Sequence, residues 1–166
     1  EGFEGSVFPP SGWTNVISGT DGWEHQSSWG TPHGGTEEAY SDGTGDTLIT
    51  SYLSLGATQR IRFWYSAESS SYAQGLRVSV ETSTGWDSVW DSGSITSTTY
   101  AEAIVDLDTY GGTSTRIMFD HHTSTSSYYG MNLDDILVED IPVTPAISIS
   151  PSGLVFQATA LGAADS

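Results

Sequence analysis

The chain has no cysteine and no lysine. Without thiols there is no disulfide, no thiolate metal site and no thiol nucleophile to consider. The only basic side chains besides histidine are four arginines, Arg60, Arg62, Arg77 and Arg116, set against 21 acids, for a formal net charge of -17. Phosphate binding needs a basic footprint, so this balance excludes DNA and RNA as partners and disfavours anionic membrane surfaces. No apolar run approaches the roughly 20 residues of a membrane-spanning helix, so no membrane insertion is expected. A secretory leader is also missing, and the chain starts abruptly at Glu1. It reads as a processed or excised piece of a longer protein, covalently linked to neighbouring domains. Helical periodicity is nearly absent.

What is present points to β-structure. Ser and Thr make up roughly 28% of the 166 residues, beside 19 Gly, six Trp and eight Tyr, a bias unlike average usage and too aromatic for a disordered chain. Alternating apolar and polar residues recur over 47–55, 59–66, 76–82, 101–107 and 114–122. Period-2 alternation gives one buried and one solvated face, as in antiparallel sheets. Turn-rich stretches such as "SDGTGD", "SAESSSYAQG", "YGGTS" and "HTSTSSYYG" separate these runs. The expected fold is all-β, an antiparallel β-sandwich of jelly-roll type over residues 1–140. Three prolines within 142–151 mark a linker, so residues 141–166 read as a linker and the first strand of a truncated immunoglobulin-like domain.

One stretch breaks the pattern. In "MNLDDILVED", Asp134 and Asp135 sit side by side within an otherwise apolar strand. Asp is depleted in strands, and a buried unpaired carboxylate is costly. A divalent cation would offset both the mutual repulsion and the desolvation. Ca²⁺ takes 6–8 oxygen donors, mixing carboxylates, carbonyls and water. Adjacent strand residues point to opposite faces, so only one of the pair is expected to be a side-chain ligand.

The ordered series "FEGSVFPPSGWT", "DGW", "HGGTEEAYSD", "DTLIT", "RIRFWYS", "VDLDTYGGTSTRIMFD" and "YYGMNLDDILV" is similar to the bacterial cleaved-adhesin family, also called choice-of-anchor J. That family is MAM-like and resembles jelly-roll carbohydrate-binding modules. The resemblance covers residues 2–140, without the cysteines of animal MAM domains. It implies a secreted or cell-surface, non-catalytic module attached to peptidases, glycan-degrading enzymes or adhesins, and commonly holding calcium. On this pattern Glu4 in "FEG" and Asp134 or Asp135 in "LDDI" hold Ca²⁺ between the first and last strands. Asp21, with Gly35 and His33 in "PHGG", are further loop donors, and Asp42 and Asp46 in "SDGTGD" offer a second site, because Gly lets carbonyls turn inward.

Arg62, Arg77 and Arg116 share the outward parity of three expected strands, together with Trp64. In one sheet they would form a single exposed face, either paired across strands with Glu81 and Asp120 or acting as a platform on which Trp64 stacks a sugar ring. Trp29, Trp86, Trp90, Tyr128 and Tyr129 offer a second surface at one end of the sandwich, whereas Trp13 and Trp23 are expected in the core. His121 and His122 diverge on their strand, and neither a His-Glu-x-x-His zinc motif nor a Gly-x-Ser-x-Gly elbow occurs. The functional expectation is a calcium-binding adhesion or ligand-binding module. The alternatives are a carbohydrate-binding module that targets a polysaccharide-degrading enzyme, and a spacer or processing domain beside a secreted peptidase. Its partner would be a polysaccharide or an extracellular protein.

Overall fold

The structure is a computed structural model and describes residues 1–19, 21–27 and 31–142. The expected immunoglobulin-like strand and nearly all of the linker lie outside the described residues.

Two five-stranded antiparallel sheets face each other. The first has the order β1 (Thr14–Val16), β4 (Thr47–Ile49), β11 (Ile117–Ser124), β7 (Gln74–Thr82) and β8 (Gly85–Asp91). The second runs β2 (Glu24–Gln26), β3 (Glu38–Ser41), β12 (Met131–Asp140), β6 (Gln59–Ala67) and β9 (Ala101–Asp106). Apart from the consecutive pairs β2–β3 and β7–β8, neighbours in the sheets are distant in the chain, as in a jelly roll. The alternation read from the sequence sets the layers. Leu76, Val78 and Val80 of β7 and Ile117 and Phe119 of β11 are fully buried against Ile61 and Phe63 of β6 and Leu133 of β12. Phe63 meets Phe119 edge-on at 5.5 Å and 84°, joining the two sheets at the centre of the core. Trp23 is buried and donates Nε1–H to the Asp46 carbonyl at 3.1 Å, and Trp13 packs on the core against Phe3.

Two expected strands are each divided in two. Residues 47–55 break at Thr50, where the Ile117 amide donates to Thr50 Oγ1 and the Thr50 amide to the Ile117 carbonyl. Residues 114–122 break at Arg116, opposite. Beyond these breaks β5 (Leu53–Ser54) and β10 (Ser114–Thr115) pair as a separate small ribbon. A 3-10 turn, Asp108–Tyr110, precedes β10.

The three arginines do not share a face. Arg62 lies on β6 of the second sheet, whereas Arg77 lies on β7 of the first and Arg116 at the break just before β11 of that same sheet. Parity says which way a side chain points, but strand order decides which sheet carries it. Trp90 is also corrected: it points into the core, edge-on to Phe63 and Tyr65. A bulge in the β7–β8 ladder between Val78 and Ser79 puts Trp90 opposite Val78 and Trp86 opposite Glu81, so the two tryptophans leave on opposite faces.

Candidate functional site

The two aspartates sit at a second bulge. The β12–β6 ladder shifts between Asp134 and Leu137, and Asp135 takes a positive φ of 47°. Asp tolerates this left-handed conformation better than most residues do. The N-terminal segment enters here: the Ile136 amide donates to the Glu1 carbonyl at 2.8 Å, and the Glu1 amino group to the Ile136 carbonyl.

The bulge cancels the expected divergence of the pair. Both carboxylates turn toward the same two glycines. A Cβ on Gly2 would lie 3.1 Å from Asp135 Oδ1, 4.0 Å from Asp134 Oδ1 and 4.0 Å from Glu4 Cγ. The Gly34 amide donates to Asp134 Oδ2 at 3.0 Å, and a Cβ on Gly34 would sit 2.5 Å from Asp135 Oδ2. Gly35, at φ 63°, lies directly against the Glu4 carboxylate. Glu4, Asp134 and Asp135 therefore gather around one glycine-lined space between the two ends of the domain. Glu4 sits in the irregular N-terminal segment ahead of β1, not on a strand.

The electrostatics differ across this space. The amides of Thr36 and Glu37 donate to Glu4 Oε1 at 2.9 and 3.0 Å, and Thr36 Oγ1 donates to Oε2 at 2.8 Å. The Glu37 amide, then the Thr36 amide and hydroxyl, hold the Glu4 carboxyl below its ordinary range. Asp134 is fully buried, and burial pushes its carboxyl up. Glu38 is buried as well, raised by burial and further by Asp134, and accepts a hydrogen bond from the Tyr100 hydroxyl. Asp135 is partly exposed and bonds His33 Nδ1 at 2.7 Å, while the His33 ring stacks on Trp64 at 3.8 Å.

The arginines are engaged elsewhere: Arg60 with Glu139, Arg62 with Glu102 and Glu139, Arg77 with Asp91 and, at 4.0 Å, Asp120, and Arg116 with Glu81. Pairing across strands thus accounts for their charges. It also leaves the buried carboxylates Asp134 and Glu38 without a guanidinium. Among the described residues no three His, Asp or Glu side chains form a metal-holding group by themselves.

The other expected donors fall elsewhere. Asp21 and Asp42 line one shallow pocket with Thr44 and Ser126, and both push the Glu24 carboxyl up, after burial. Asp46 is fully buried; its Oδ1 accepts from the Ser18 amide at 2.8 Å and its Oδ2 lies 3.3 Å from the Ser41 hydroxyl. Tyr128 is exposed and meets Tyr129 edge-on, and Tyr129 stacks on Tyr72 at 5.1 Å. Trp29 lies outside the described residues. Sequence reasoning missed Thr36 and Tyr52, and it set Glu38 aside with Glu37 as an unpaired glycosidase candidate in a turn-rich segment. The burial of Glu38 with the rest of β3 shows only in the fold.

Ser41, His121 and Asp46 come together without resembling a hydrolase triad. Ser41 Oγ lies 3.1 Å from His121 Nδ1, but the carboxylate contacts the serine instead of the histidine, and all three residues are fully buried. Triad chemistry needs the acid to orient the base and an open path to the nucleophile. Gln74 Nε2 donates to the Tyr129 carbonyl, so Gln74 Oε1 accepts from His121 Nε2–H, which leaves Nδ1 as an acceptor.

No protein-family model matches the chain, and neither does any curated protein. Solved structures do. The K1 cleaved adhesin domain of Lys-gingipain from Porphyromonas gingivalis W83 superposes with a TM-score of 0.68 over 86% of this chain and 97% of that one, at 19% identity. This chain has the fold of a cleaved-adhesin domain. TmCBM61, solved in complex with β-1,4-galactotriose, gives a TM-score of 0.64 over 84% of this chain and 94% of that one, at 15% identity. The CBM22-1 xylan-binding domain of Paenibacillus barcinonensis Xyn10C gives 0.58 over 86% and 93%, also at 15% identity. The structural neighbours are thus adhesin and carbohydrate-binding sandwiches, and no described helix is long and apolar enough to cross a membrane.

Proposed function

We propose that this domain is a non-catalytic, calcium-binding adhesion or ligand-binding module of a secreted or cell-surface bacterial multidomain protein. The gathering of Glu4, Asp134 and Asp135 around Gly2, Gly34 and Gly35 carries the reading. Three acids meet there without an arginine, one of them fully buried, in a chain that has no lysine. Asp134 and Asp135 would supply carboxylate oxygens from the last strand and Glu4 from the N-terminal segment. Glu4 Oε2 accepts from Thr36 Oγ1, Asp134 Oδ2 from the Gly34 amide and Asp134 Oδ1 from the Asp135 amide at 2.7 Å, and a carboxylate has about four lone-pair sites, so carboxylate lone pairs remain. A bound Ca²⁺ would supply positive charge where the chain itself has little. The residues do the positioning: the bulge turns Asp135, the Gly34 amide aims Asp134, and the 34–37 loop fixes Glu4.

Titration calorimetry on chelator-treated protein tests this. Calcium uptake in the wild type, lost in Glu4→Gln and in Asp134→Asn, supports the site. Absence of uptake by wild-type protein refutes it. A second reading, a carbohydrate-binding module attached to a polysaccharide-degrading enzyme, is favoured by the likeness to xylan- and galactotriose-binding sandwiches. A spacer beside a secreted peptidase has no observation of its own here.

A further inference from the structure

A groove at one end of the sandwich lies outside the acid site. It is lined by Tyr52, Glu81, the β7–β8 turn at Thr82 and Ser83, Tyr110, and Ser114 and Thr115 of β10, and encloses about 470 Å³. The Arg116 guanidinium connects one lining ring, Tyr52, to Trp86, which flanks the groove from outside its lining. It lies 5.1 Å from the Tyr52 ring centroid and 5.8 Å from that of Trp86. Tyr52 is 65% exposed and Trp86 36%, so both rings present surface to solvent although neither is needed to fill the core. Arg116 is held from behind by two bonds to Glu81, Nε to Oε2 at 2.8 Å and Nη2 to Oε1 at 2.6 Å. Glu81 is anchored opposite Trp86 in the β7–β8 ladder. Hydrogen bonds from Arg116 hold the Glu81 carboxyl below its ordinary range, so the pair stays doubly charged and sums to zero. The cation–π contacts fix the height of both rings against a planar group that cannot lose its proton.

We infer that this groove is a binding subsite for a neutral polysaccharide, with the Tyr52 and Trp86 rings as stacking platforms for sugar rings. Three features select that chemistry. Aromatic faces bind the C–H faces of pyranose rings, and Tyr and Trp do so with a polar handle left at the edge. The walls carry hydroxyl side chains, Thr82, Ser83, Thr109, Thr113 and Ser114 among them, with the Glu81 carboxylate as acceptor, and the Arg116 guanidinium beside the Tyr52 ring adds N–H donors next to them. The charge excludes uronate-rich or sulfated chains, because Arg116 is already neutralised and the chain as a whole carries -17. Three breaks in regular structure build the site. The Thr50 break releases Tyr52 from β4, the Arg116 break turns the guanidinium out, and the bulge in the β7–β8 ladder puts Trp86 on the outer face. This assignment rests on reading the domain as a binding module, and it adds the location and ligand class.

The test is affinity electrophoresis and titration calorimetry against a panel of neutral glycans (xylohexaose, cellohexaose, mannohexaose, β-1,4-galactan fragments) and anionic ones (polygalacturonate, heparin). The wild type, Tyr52→Ala, Trp86→Ala and a control, Ile104→Ala on β9 of the other sheet, are compared. All three side chains are at least one-third exposed, so the folds should persist, and circular dichroism checks this. The expected result is binding to at least one neutral glycan, weakened about tenfold by either aromatic substitution, the factor equivalent to about 1.4 kcal/mol. Ile104→Ala leaves it unchanged. Glycan binding that ignores Tyr52 and Trp86 overturns the site but leaves the module reading intact. Preference for the anionic chains overturns the ligand class. No binding to any glycan overturns the inference, and calcium uptake in that same sample shows whether the module reading survives.

Discussion

His121 shows how a single residue can set a pH dependence without taking part in function. It is fully buried between Ser41 and Gln74, and burial pushes its pKa down to about 4. Above pH 6.5 the imidazole is neutral in both folded and unfolded chains, so it contributes nothing to pH dependence. Between 6.5 and about 4 the unfolded chain binds a proton that the folded chain refuses, and stability falls as pH falls, by an amount on the order of 3 kcal/mol at full extent. Asp134 and Glu38 oppose it lower down, since burial raises their carboxyls and their folded forms take up protons more readily. We therefore expect the drop in melting temperature from pH 7 to pH 5 to be smaller in His121→Gln than in wild type. An equal drop in both would mean that the histidine is hydrated or charged in solution. Gly34 provides a second residue-scale test. A Cβ there would press on the Asp135 carboxylate from 2.5 Å. Gly34→Ala should weaken calcium affinity and cost about 1–3 kcal/mol of stability, as overpacking does elsewhere, read by chemical denaturation in the presence of chelator.

Among the elements, β12 matters most, because its bulge converts two adjacent residues that ought to diverge into two that converge. Holding Asp135 at φ 47° costs a typical L-residue about 1–2 kcal/mol, and less for Asn or Asp. With calcium removed, Asp135→Asn should thus stay close to wild-type stability, whereas Asp135→Val should lose about 1–2 kcal/mol more, because a β-branched residue resists this conformation. Equal losses would show that the backbone there relaxes. The same element explains what could be read from sequence. The long alternating runs were legible: 59–66 became β6 and 76–82 became most of β7, since period 2 reports directly on burial. The breaks at Thr50 and Arg116 were not, because each depends on the other across the sheet. The bulge at Asp135 was invisible for a similar reason: it answers an N-terminal segment more than 130 residues away. Strand order was hidden too, which is why three arginines of common parity seemed to share a face. The acids Glu4, Asp134 and Asp135 were legible only through family resemblance and the oddity of a paired aspartate.

At the scale of the molecule, a net charge of -17 spread over a small sandwich works against compaction. In chelator, sodium chloride should raise the melting temperature as it is increased toward about 0.1 M, where the screening length falls to about 10 Å. A flat response would mean that the surface acids are too far apart to repel. A cation at the acid site would act as a clamp. The N-terminal segment is otherwise tied to the domain by bonds at Glu1, the burial of Phe3 and the loop contacts of Glu4, and chain ends are where a sandwich frays first. An ion that binds only the folded state stabilises it by about 2.7 kcal/mol at a hundredfold excess over Kd, which for a domain of about 150 residues is worth several degrees. Thermal unfolding in calcium and in EDTA, followed by circular dichroism on the wild type and Glu4→Gln, therefore bears most directly on the proposal. The wild type should melt several degrees higher in calcium with an unchanged β-sheet spectrum, and Glu4→Gln should melt at the same temperature in both. Identical melting of wild-type protein in calcium and in EDTA would contradict it.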